Sequence, residues 1–313
     1  MVQLLTNKRV ILHKIESTYG VDSSPTGALN AIQCRALTIT PLDNETVDRD
    51  LIRPFFGASE QLVAAYRARV EFEVELAGSG TAGTAPAMAG LLKTCGLAET
   101  INAGVDVQYA PTSVINPPSG TIYIGRDQVR HKLLGSIGNV EFTCAAKEIP
   151  MAKFTFTGLL GSIADTALPT VDYSAFKTPE VVNDTNTQIF TLHSNSNLTM
   201  QSVMINLGNN VVHRSLVGDD RILLTGRKTT GQIVIESTDV ATKDWIGTVQ
   251  ATTLGNLIVE HGTAAGKKVR LESNRAQLQA PSYSDLDGVD MSQFDIAFVP
   301  SSAGNDEFKL TFK

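Results

Sequence analysis

The chain contains one short segment twice. Residues 44–51 (NETVDRDL) return 165 positions later as residues 209–216 (NNVVHRSL), with Asn, Val, Arg and Leu in register. Four further elements follow each copy in the same order: an alternating strand (71–75 and 232–236), an apolar helical stretch (85–97 and 243–254), an aliphatic strand opened by Gly (120–124 and 255–259) and a closing Met-x-x-Phe (151–154 and 291–294). A shared order of elements is harder to obtain by chance than one octet. We therefore predict two copies of one β-rich module of about 130 residues, a period too long for a solenoid.

The length agrees with this division, because 313 residues suit two domains that each bury a core. We predict an N-terminal arm (1–30), a first module (31–165), a linker (166–185) and a second module (186–313). Pro169 and Pro179 support the linker. Residues 1–30 and the loop 104–120 are expected to be too open to pack on their own module, and to act as arms that contact neighbours.

The dominant pattern along the chain has a period of two. Between Tyr66 and Leu76, the odd positions from Arg67 to Glu75 are all charged, and the even positions are almost all apolar. This is typical of a half-buried strand in an antiparallel sheet. Shorter strands are predicted at 36–40, 121–125, 128–134, 139–145, 152–157, 198–207, 231–237, 268–272 and 293–299. The predicted fold class is mainly β, with about one helix per module.

Composition and charge exclude several classes of protein. With 42% apolar and 19% charged residues, the composition is that of a globular chain. A net charge of −6 disfavours a protein that grips nucleic-acid phosphates. No apolar run is long enough to span a bilayer, and charged residues interrupt the N-terminal stretch, so we expect synthesis and assembly in a cytoplasm. Cys34, Cys95 and Cys144 are expected to be reduced, buried thiols.

Catalytic patterns are weak. Residues 78–83 (GSGTAG) match the dinucleotide-binding pattern Gly-x-Gly-x-x-Gly, but the preceding strand is charged on one face and no succession of βα units follows. We interpret this segment as a flexible Gly-rich connection. The five histidines are scattered and no calcium-loop or nucleophile-elbow pattern occurs, so no catalytic, cofactor or metal site is predicted.

Several segments of the chain match those of one known family. In the first module they are IESTYG (15–20), SPTGA (24–28), NAI (30–32), VDRDLIRP (47–54), FEVELAGSGTAGTAP (72–86), LKTCG (92–96), HKLLG (131–135) and EIPMAKFTFTG (148–158). The second module matches more loosely, through VVHR (211–214) and GNDE (304–307). In these segments the chain resembles the tail tube proteins of long-tailed bacteriophages. The resemblance implies that each module has two packed antiparallel sheets (a β-sandwich or barrel) and one flanking helix.

The resemblance also implies a function and partners. In that family, rings of subunits join their inner sheets into a closed cylinder, and rings stack into a tube around the tape-measure protein, which DNA later replaces. The expected partners are other copies of the chain, the tape-measure protein, and the tail terminator and baseplate proteins, in the tail of a virion. DNA is expected to pass without specific binding. The family has no catalytic residues to carry over, and the choice between a contractile and a flexible tail stays open.

The charged strand suggests which residues line the channel. The candidates are Arg67, Arg69, Glu71, Glu73 and Glu75 in the first module and Gln232, Val234 and Glu236 at the matching positions of the second. The Debye length is about 8 Å at physiological salt, so carboxylates on the wall repel passing phosphates more strongly than the net charge does. An ordinary solvated outer face is the alternative for this strand.

Duplication suggests the composition of the ring. Six tube domains surround the axis in this family, so a chain with two modules is expected to form trimeric rings with pseudo-sixfold symmetry. A hexameric ring in which the second module is an outer decoration is the alternative. Two other classes stay open: an extracellular or virion-decorating β-sandwich that binds a receptor or carbohydrate, and a hydrolase with a site between the modules.

Overall fold

The structure, a computed structural model, describes residues 3–114 and 116–313. The first part of the chain forms strands β1 (Arg9–Ile15), β2 (Ala31–Ile32), β3 (Arg35–Asp48), β4 (Gln61–Glu75), β5 (Leu97–Asn102), β6 (Asp106–Pro111), β7 (Gly120–Arg126), β8 (Val129–Ala145), β9 (Met151–Leu160) and β10 (Ala164–Asp165). The second part forms β11 (Ile189–Leu192), β12 (Met200–Asn206), β13 (Asn209–Leu216), β14 (Asp219–Arg227), β15 (Thr230–Glu236), β16 (Leu254–His261), β17 (Val269–Leu286), β18 (Val289–Phe298) and β19 (Lys309–Phe312). Three short helices are α1 (Gly27–Asn30), α2 (Ala89–Thr94) and α3 (Trp245–Gln250).

The two halves repeat one strand order. In the first half the order is β3-β4-β9-β8-β7-β1, and every pair is antiparallel. In the second half it is β12-β15-β18-β17-β16-β11, again antiparallel throughout. One helix, α2 or α3, follows the second strand of each series. The predicted mainly β class with antiparallel sheets is confirmed.

Long strands let each half build two packed sheets. The first part of β8 pairs with β7. β9 pairs with Leu133 and Leu134 and then, after an irregularity between Leu134 and Ile137, with the later part of β8. Gly135 lies in this irregularity with φ +57°, a conformation that other residues adopt only with strain. The predicted strands 128–134 and 139–145 are therefore one bent strand, and the sheet of β7 and β1 lies opposite the sheet of β9 and β4. Phe156 of β9 lies 6.0 Å from His13 of β1, measured between ring centroids across this core.

His13 makes the core sensitive to acid. Its side chain is 5% exposed and lies 3.3 Å from the Thr94 hydroxyl, and burial lowers the pKa of His13 from 6.5 to about 3. The folded state therefore holds neutral His13, whereas the unfolded chain binds a proton below pH 6.5. The contribution of neutral His13 to the free energy of unfolding is fully present above pH 6.5. It is lost as the pH falls toward 3, by about 1.4 kcal/mol per pH unit.

We expect the unmodified protein and the variant His13→Gln to differ in how much unfolding free energy they lose at acidic pH. Between pH 7.5 and pH 5 the original chain should lose about 2 kcal/mol more unfolding free energy than the variant, because Gln does not titrate. Urea unfolding at both pH values measures this, and equal losses in the two proteins would contradict the neutral state of His13. The other histidines contribute equally to both and cancel.

Two expectations about connecting segments were wrong in part. The N-terminal arm contains β1, which pairs with β7, and Val10, Ile11 and Leu12 are buried. The loop 104–120 contributes β6, which pairs with β19 of the second half, so it packs within the same chain; its residue 115 lies outside the described residues. β6 also pairs with the preceding strand β5 of its own half. The partners β7 of β1 and β19 of β6 are distant in sequence, so local composition did not reveal these contacts.

The linker is packed against its own chain. β10 pairs with β8, and Leu168, Val171 and Tyr173 pack against a small buried cluster that includes Leu12.

Among the described residues, no helix has the length and apolar character needed to cross a membrane.

Candidate assembly interface

One sheet runs through both halves of the molecule. β8 pairs along its C-terminal part with β12 of the second half, which gives an eight-stranded sheet in the order β3-β4-β9-β8-β12-β15-β18-β17. We call this sheet the continuous sheet. Its core face carries alternate apolar residues such as Phe72 and Phe154, both buried. The opposite face is in contact with solvent in the isolated chain.

The continuous sheet ends in two unpaired edges. In the part of the chain that the structure describes, β3 pairs with β4 alone, and residues 279–286 of β17 pair with β18 alone. Residues 279–286 are all exposed. The Leu37 carbonyl of β3 accepts a hydrogen bond of 2.9 Å from Arg9 Nη1, at the β-bulge that precedes Thr38. Unpaired strand edges are templates for pairing with another chain.

The junction between the halves shows how such edges join. β12 and β8 are antiparallel, with Met204 opposite Thr143. Backbone bonds from Ala146 N to Gln201 O (2.8 Å) and from Leu207 N to Val140 O (3.0 Å) mark the two ends of the pairing. Hydrogen-bonded and non-hydrogen-bonded pairs alternate in such a ladder, which makes Met204 and Thr143 a non-hydrogen-bonded pair with closely spaced side chains.

Asparagine side chains hold this junction together. Asn139 Nδ2 donates to Asn206 Oδ1 at 2.9 Å, and Asn206 Nδ2 donates to Glu141 Oε2 at 2.9 Å. Asn209 is the first residue of the repeated octet in the second half. Its Nδ2 donates to the carbonyl oxygens of Cys95 (2.7 Å) and Gly138 (2.9 Å) in the first half. These bonds satisfy backbone carbonyls that would otherwise be left unpaired at the junction.

The hairpin that begins at Asn209 lies against the first half. Leu224 of β14 packs so closely on Gly96 that a Cβ at Gly96 would approach its side chain to 2.8 Å. Arg227 Nε donates to Glu307 at 2.7 Å, and Arg227 Nη1 donates to the Thr112 carbonyl at 3.0 Å. The hairpin β13-β14 therefore contacts the first half of the chain as well as its own half.

The corresponding hairpin of the first half has no such neighbour within the described chain. The distal parts of β3 and β4 and the tip between them carry exposed apolar side chains, at Val47, Leu51, Ile52, Phe55, Phe56, Leu62 and Val63. Ile52 and Phe56 are fully exposed. Several exposed apolar side chains on one hairpin are typical of a protein interaction site.

The first five predicted channel residues lie together on the solvent-facing side of β4. Arg67 pairs with Asp43 and Glu45 of β3, each at 2.8 Å, and the hydrogen bond with Glu45 contributes most to raising the pKa of Arg67 above its ordinary value. Arg69 lies 3.7 Å from Asp43. These arginines therefore pair across to β3 and leave Glu71 without a cation from its own strand.

Charges of both signs continue along this face. Glu73 forms a salt bridge of 2.8 Å with Arg35 at the free edge, and Lys153 of β9 stands opposite Glu73 in the sheet. Lys153 is in turn opposite Glu141 of β8. Glu71 and Glu75 complete the acidic part of the face. Carboxylates therefore predominate on it, and cationic side chains such as Lys153 lie among them.

The three candidates of the second half lie on β15 of the same sheet. Gln232 is opposite Asp295 and donates to it from Nε2 at 3.3 Å. Glu236 is exposed, whereas Val234 is only 8% exposed and offers little surface. The second half thus presents a more neutral stretch of the same sheet.

The Gly-rich segment 78–83 is not a phosphate loop. Gly80 N donates to the Gly266 carbonyl at 2.9 Å, and a Cβ at Gly78 would come within 2.2 Å of the same oxygen. The glycines permit close approach of two backbones from the two halves, so the expectation of a flexible connection is corrected. No group of three or more His, Cys, Asp or Glu side chains among the described residues could hold a metal ion.

Comparison with known proteins identifies the family. A family model described as phage tail tube protein matches residues 6–294, which is nearly the whole chain and includes both edges of the continuous sheet. A search of curated protein sequences gave no match. The family is a structural one, which agrees with a site made of strand edges, and a tail tube protein is a component of the virion tail. The chain belongs to the phage tail tube protein family.

Proposed function

We propose that three copies of this chain close into a ring with pseudo-sixfold symmetry, and that stacked rings form the tail tube through which DNA leaves the virion. The observation that carries the proposal is the continuous sheet, in which two modules with the same strand order already join edge to edge through β8 and β12. The module boundaries of the proposal are 31–165 and 186–313. Free edges at β3 and β17 supply the same kind of contact between chains.

Ring closure follows from repeating one contact. Each chain offers one edge of each kind, and a heterologous contact repeated around an axis closes into a ring. Three chains with eight strands each join 24 strands into one cylinder. Cylinders of 16 to 18 strands already enclose an aqueous channel, so a 24-stranded one is wide enough for a passing polymer.

The proposal also sets which face points inward. The second sheet of each module and its helix lie on the core side of the continuous sheet, so this bulk fits only outside the cylinder. The channel is then lined by the face that carries Arg67, Arg69, Glu71, Glu73 and Glu75, followed by Gln232 and Glu236. Its carboxylates keep DNA from adhering, and the lumen holds the tape-measure protein before ejection. Assembly takes place in the host cytoplasm, with terminator and baseplate proteins at the two ends.

Ring stoichiometry is the decisive measurement. We expect native mass spectrometry of the purified protein at high concentration to give rings of three 33.5 kDa chains, and symmetry-free image averages to show six similar lobes. Rings of six chains, with the second module outside the cylinder, would refute the pseudo-sixfold arrangement. A protein that stays monomeric at high concentration would refute the tube proposal itself.

A further inference from the structure

The chain contains an internal template for the contact between its own copies. β4 and β15 occupy equivalent places, because Phe72 stands opposite Phe154 just as Ile233 stands opposite Phe294. The Met-x-x-Phe closures fix the same correspondence, since Phe154 and Phe294 are their last residues. The six strands of the first series can therefore be matched one to one with the six strands of the second, and opposed pairs such as these fix equivalent residues within them.

The two strands at the internal junction have counterparts at the free edges. Met204 of β12 stands opposite Gln232, as Thr38 of β3 stands opposite Glu71, and Gln232 is the counterpart of Glu71. Met204 therefore corresponds to Thr38. By this correspondence, the free edge of β3 is equivalent to the edge of β12 that pairs with β8.

The other edge follows in the same way. Thr143 of β8 stands opposite Met151, as Ser284 of β17 stands opposite Met291, and the two methionines are equivalent. Ser284 therefore corresponds to Thr143. The exposed end of β17 is thus equivalent to the part of β8 that pairs with β12.

We infer that β3 of one chain pairs with β17 of the next chain in the register of the internal junction, so that Thr38 meets Ser284 of the partner chain. The inference rests on the proposed ring, and it specifies the residues that form its contact. In the internal junction, Met204 meets Thr143.

Tyr283 supports this register. Its internal counterpart is Phe142, which is fully buried and stands opposite Ile205. Tyr283 is 65% exposed in the single chain, although it lies on a strand next to the core. In the inferred register it covers Ile39, the counterpart of Ile205, and buries its ring where Phe142 is buried inside the chain. Aromatic side chains of this kind are enriched at protein interfaces.

Charge complementarity supports the same docking. The turn between β17 and β18 carries Asp285, Asp287 and Asp290 at its exposed tip. In the inferred register this tip enters an open groove of about 600 Å³ beside the start of β3, whose lining includes Arg9 and Arg35. At the internal junction the equivalent turn is held by backbone bonds of 2.9 Å in both directions between residues 147–148 and 182.

Asn44 has a defined role in this contact. It stands opposite Tyr66 as Asn209 stands opposite Arg227, so the first asparagines of the repeated octet are structurally equivalent. Asn209 binds the carbonyls of Cys95 and Gly138, whereas Asn44 is exposed in the single chain. Ala251 directly follows α3 as Cys95 follows α2, and Leu278 is opposite Ile296 as Gly138 is opposite Phe156. Asn44 is thereby positioned to bind the carbonyls of Ala251 and Leu278 in the next chain.

A disulfide between engineered cysteines tests the register. We expect Thr38→Cys/Ser284→Cys, in a Cys34→Ser background, to give covalent dimers and trimers when assembled tubes are oxidised and run on a non-reducing gel. Side chains of a non-hydrogen-bonded pair come close enough for a disulfide. Met204→Cys/Thr143→Cys is the positive control and should bridge within one chain. Thr38→Cys/Tyr283→Cys, whose side chains point to opposite faces, is the negative control.

A second variant keeps the test decisive if the cysteines prevent assembly. We expect Asn44→Ala to leave urea unfolding of the dilute chain unchanged and to raise the concentration needed for ring formation by about tenfold or more, as the loss of two interfacial hydrogen bonds implies. Its matched control, Asn209→Ala, should weaken the fold of the single chain. Rings that form without the Thr38–Ser284 bridge, or an Asn44→Ala variant that assembles normally, would overturn the register and leave the ring intact. An original chain that forms no rings would instead refute the proposed function.

Discussion

Replacing Phe154 by Ala is expected to lower the free energy of unfolding by about 3–5 kcal/mol, the usual loss for a buried Phe. Phe154 is fully buried in β9 and stacks on Phe72 at 5.7 Å and on Phe156 at 6.0 Å between ring centroids. Truncation removes both contacts and leaves a cavity, because the surrounding strands are held by their ladders and cannot collapse into it.

The location of Phe154 makes the measurement informative about both modules. Trp245 is the single tryptophan and lies in the second half, where it contacts Phe294 at 5.8 Å. The main buried cluster is contiguous and includes residues of both halves. Urea unfolding followed by Trp245 fluorescence should therefore report the loss caused by Phe154→Ala, although the substitution lies in the other module.

Two variants control this experiment. Phe294→Ala, at the equivalent place in the second half, should cost a similar amount, since Phe294 is 1% exposed. Phe56→Ala should leave the unfolding midpoint unchanged, because Phe56 is fully exposed at the hairpin tip. A loss below about 1 kcal/mol for Phe154→Ala in urea unfolding followed by circular dichroism would contradict the packed core. A circular-dichroism transition that moves while the Trp245 transition does not would show that the two halves unfold independently.

Reversing the acidic face is expected to reduce DNA delivery by about tenfold or more while tubes still assemble. Glu71→Lys/Glu75→Lys changes two side chains in each chain and leaves the Arg35–Glu73 salt bridge at the free edge in place. In the proposed ring these lysines line the channel at every third of the circle. Clustered lysines bind DNA phosphates and release counterions, so DNA would adhere to the wall instead of sliding past it.

Infectivity and DNA release from particles that carry the variant tube measure this effect. Asp165→Lys/Asp184→Lys, at two exposed carboxylates in β10 and the linker, makes the same charge change on the other side of the wall and should leave delivery unchanged. A normal yield of infectious particles with the Glu71→Lys/Glu75→Lys tube would remove this face from the channel. Raising the salt concentration should partly restore DNA release, because it weakens phosphate binding.

Local sequence patterns are sufficient to predict some features of this molecule. The alternation of charged and apolar residues from Tyr66 to Leu76 predicted a half-buried strand, and residues such as Val70, Phe72 and Val74 are buried as expected. A period of two fixes which side chains share a face, whatever the neighbouring strands are. The repeated octet likewise predicted two related modules, and the strand order of the two halves agrees. The resemblance of the sequence to tail tube proteins is confirmed by the match to the family model.

Other features depend on contacts between distant residues. The sequence alone did not show that β8 would serve both modules through β12, that β6 would extend the sheet of β19, or that the Gly-rich segment would meet the backbone at Gly266. Strands pair through backbone N–H and C=O groups, which nearly all residues carry. The sequence of a single strand therefore does not identify its partner strand. Alternation thus determined the faces of the strands, and the tertiary structure decided which edges of the continuous sheet meet and which stay open.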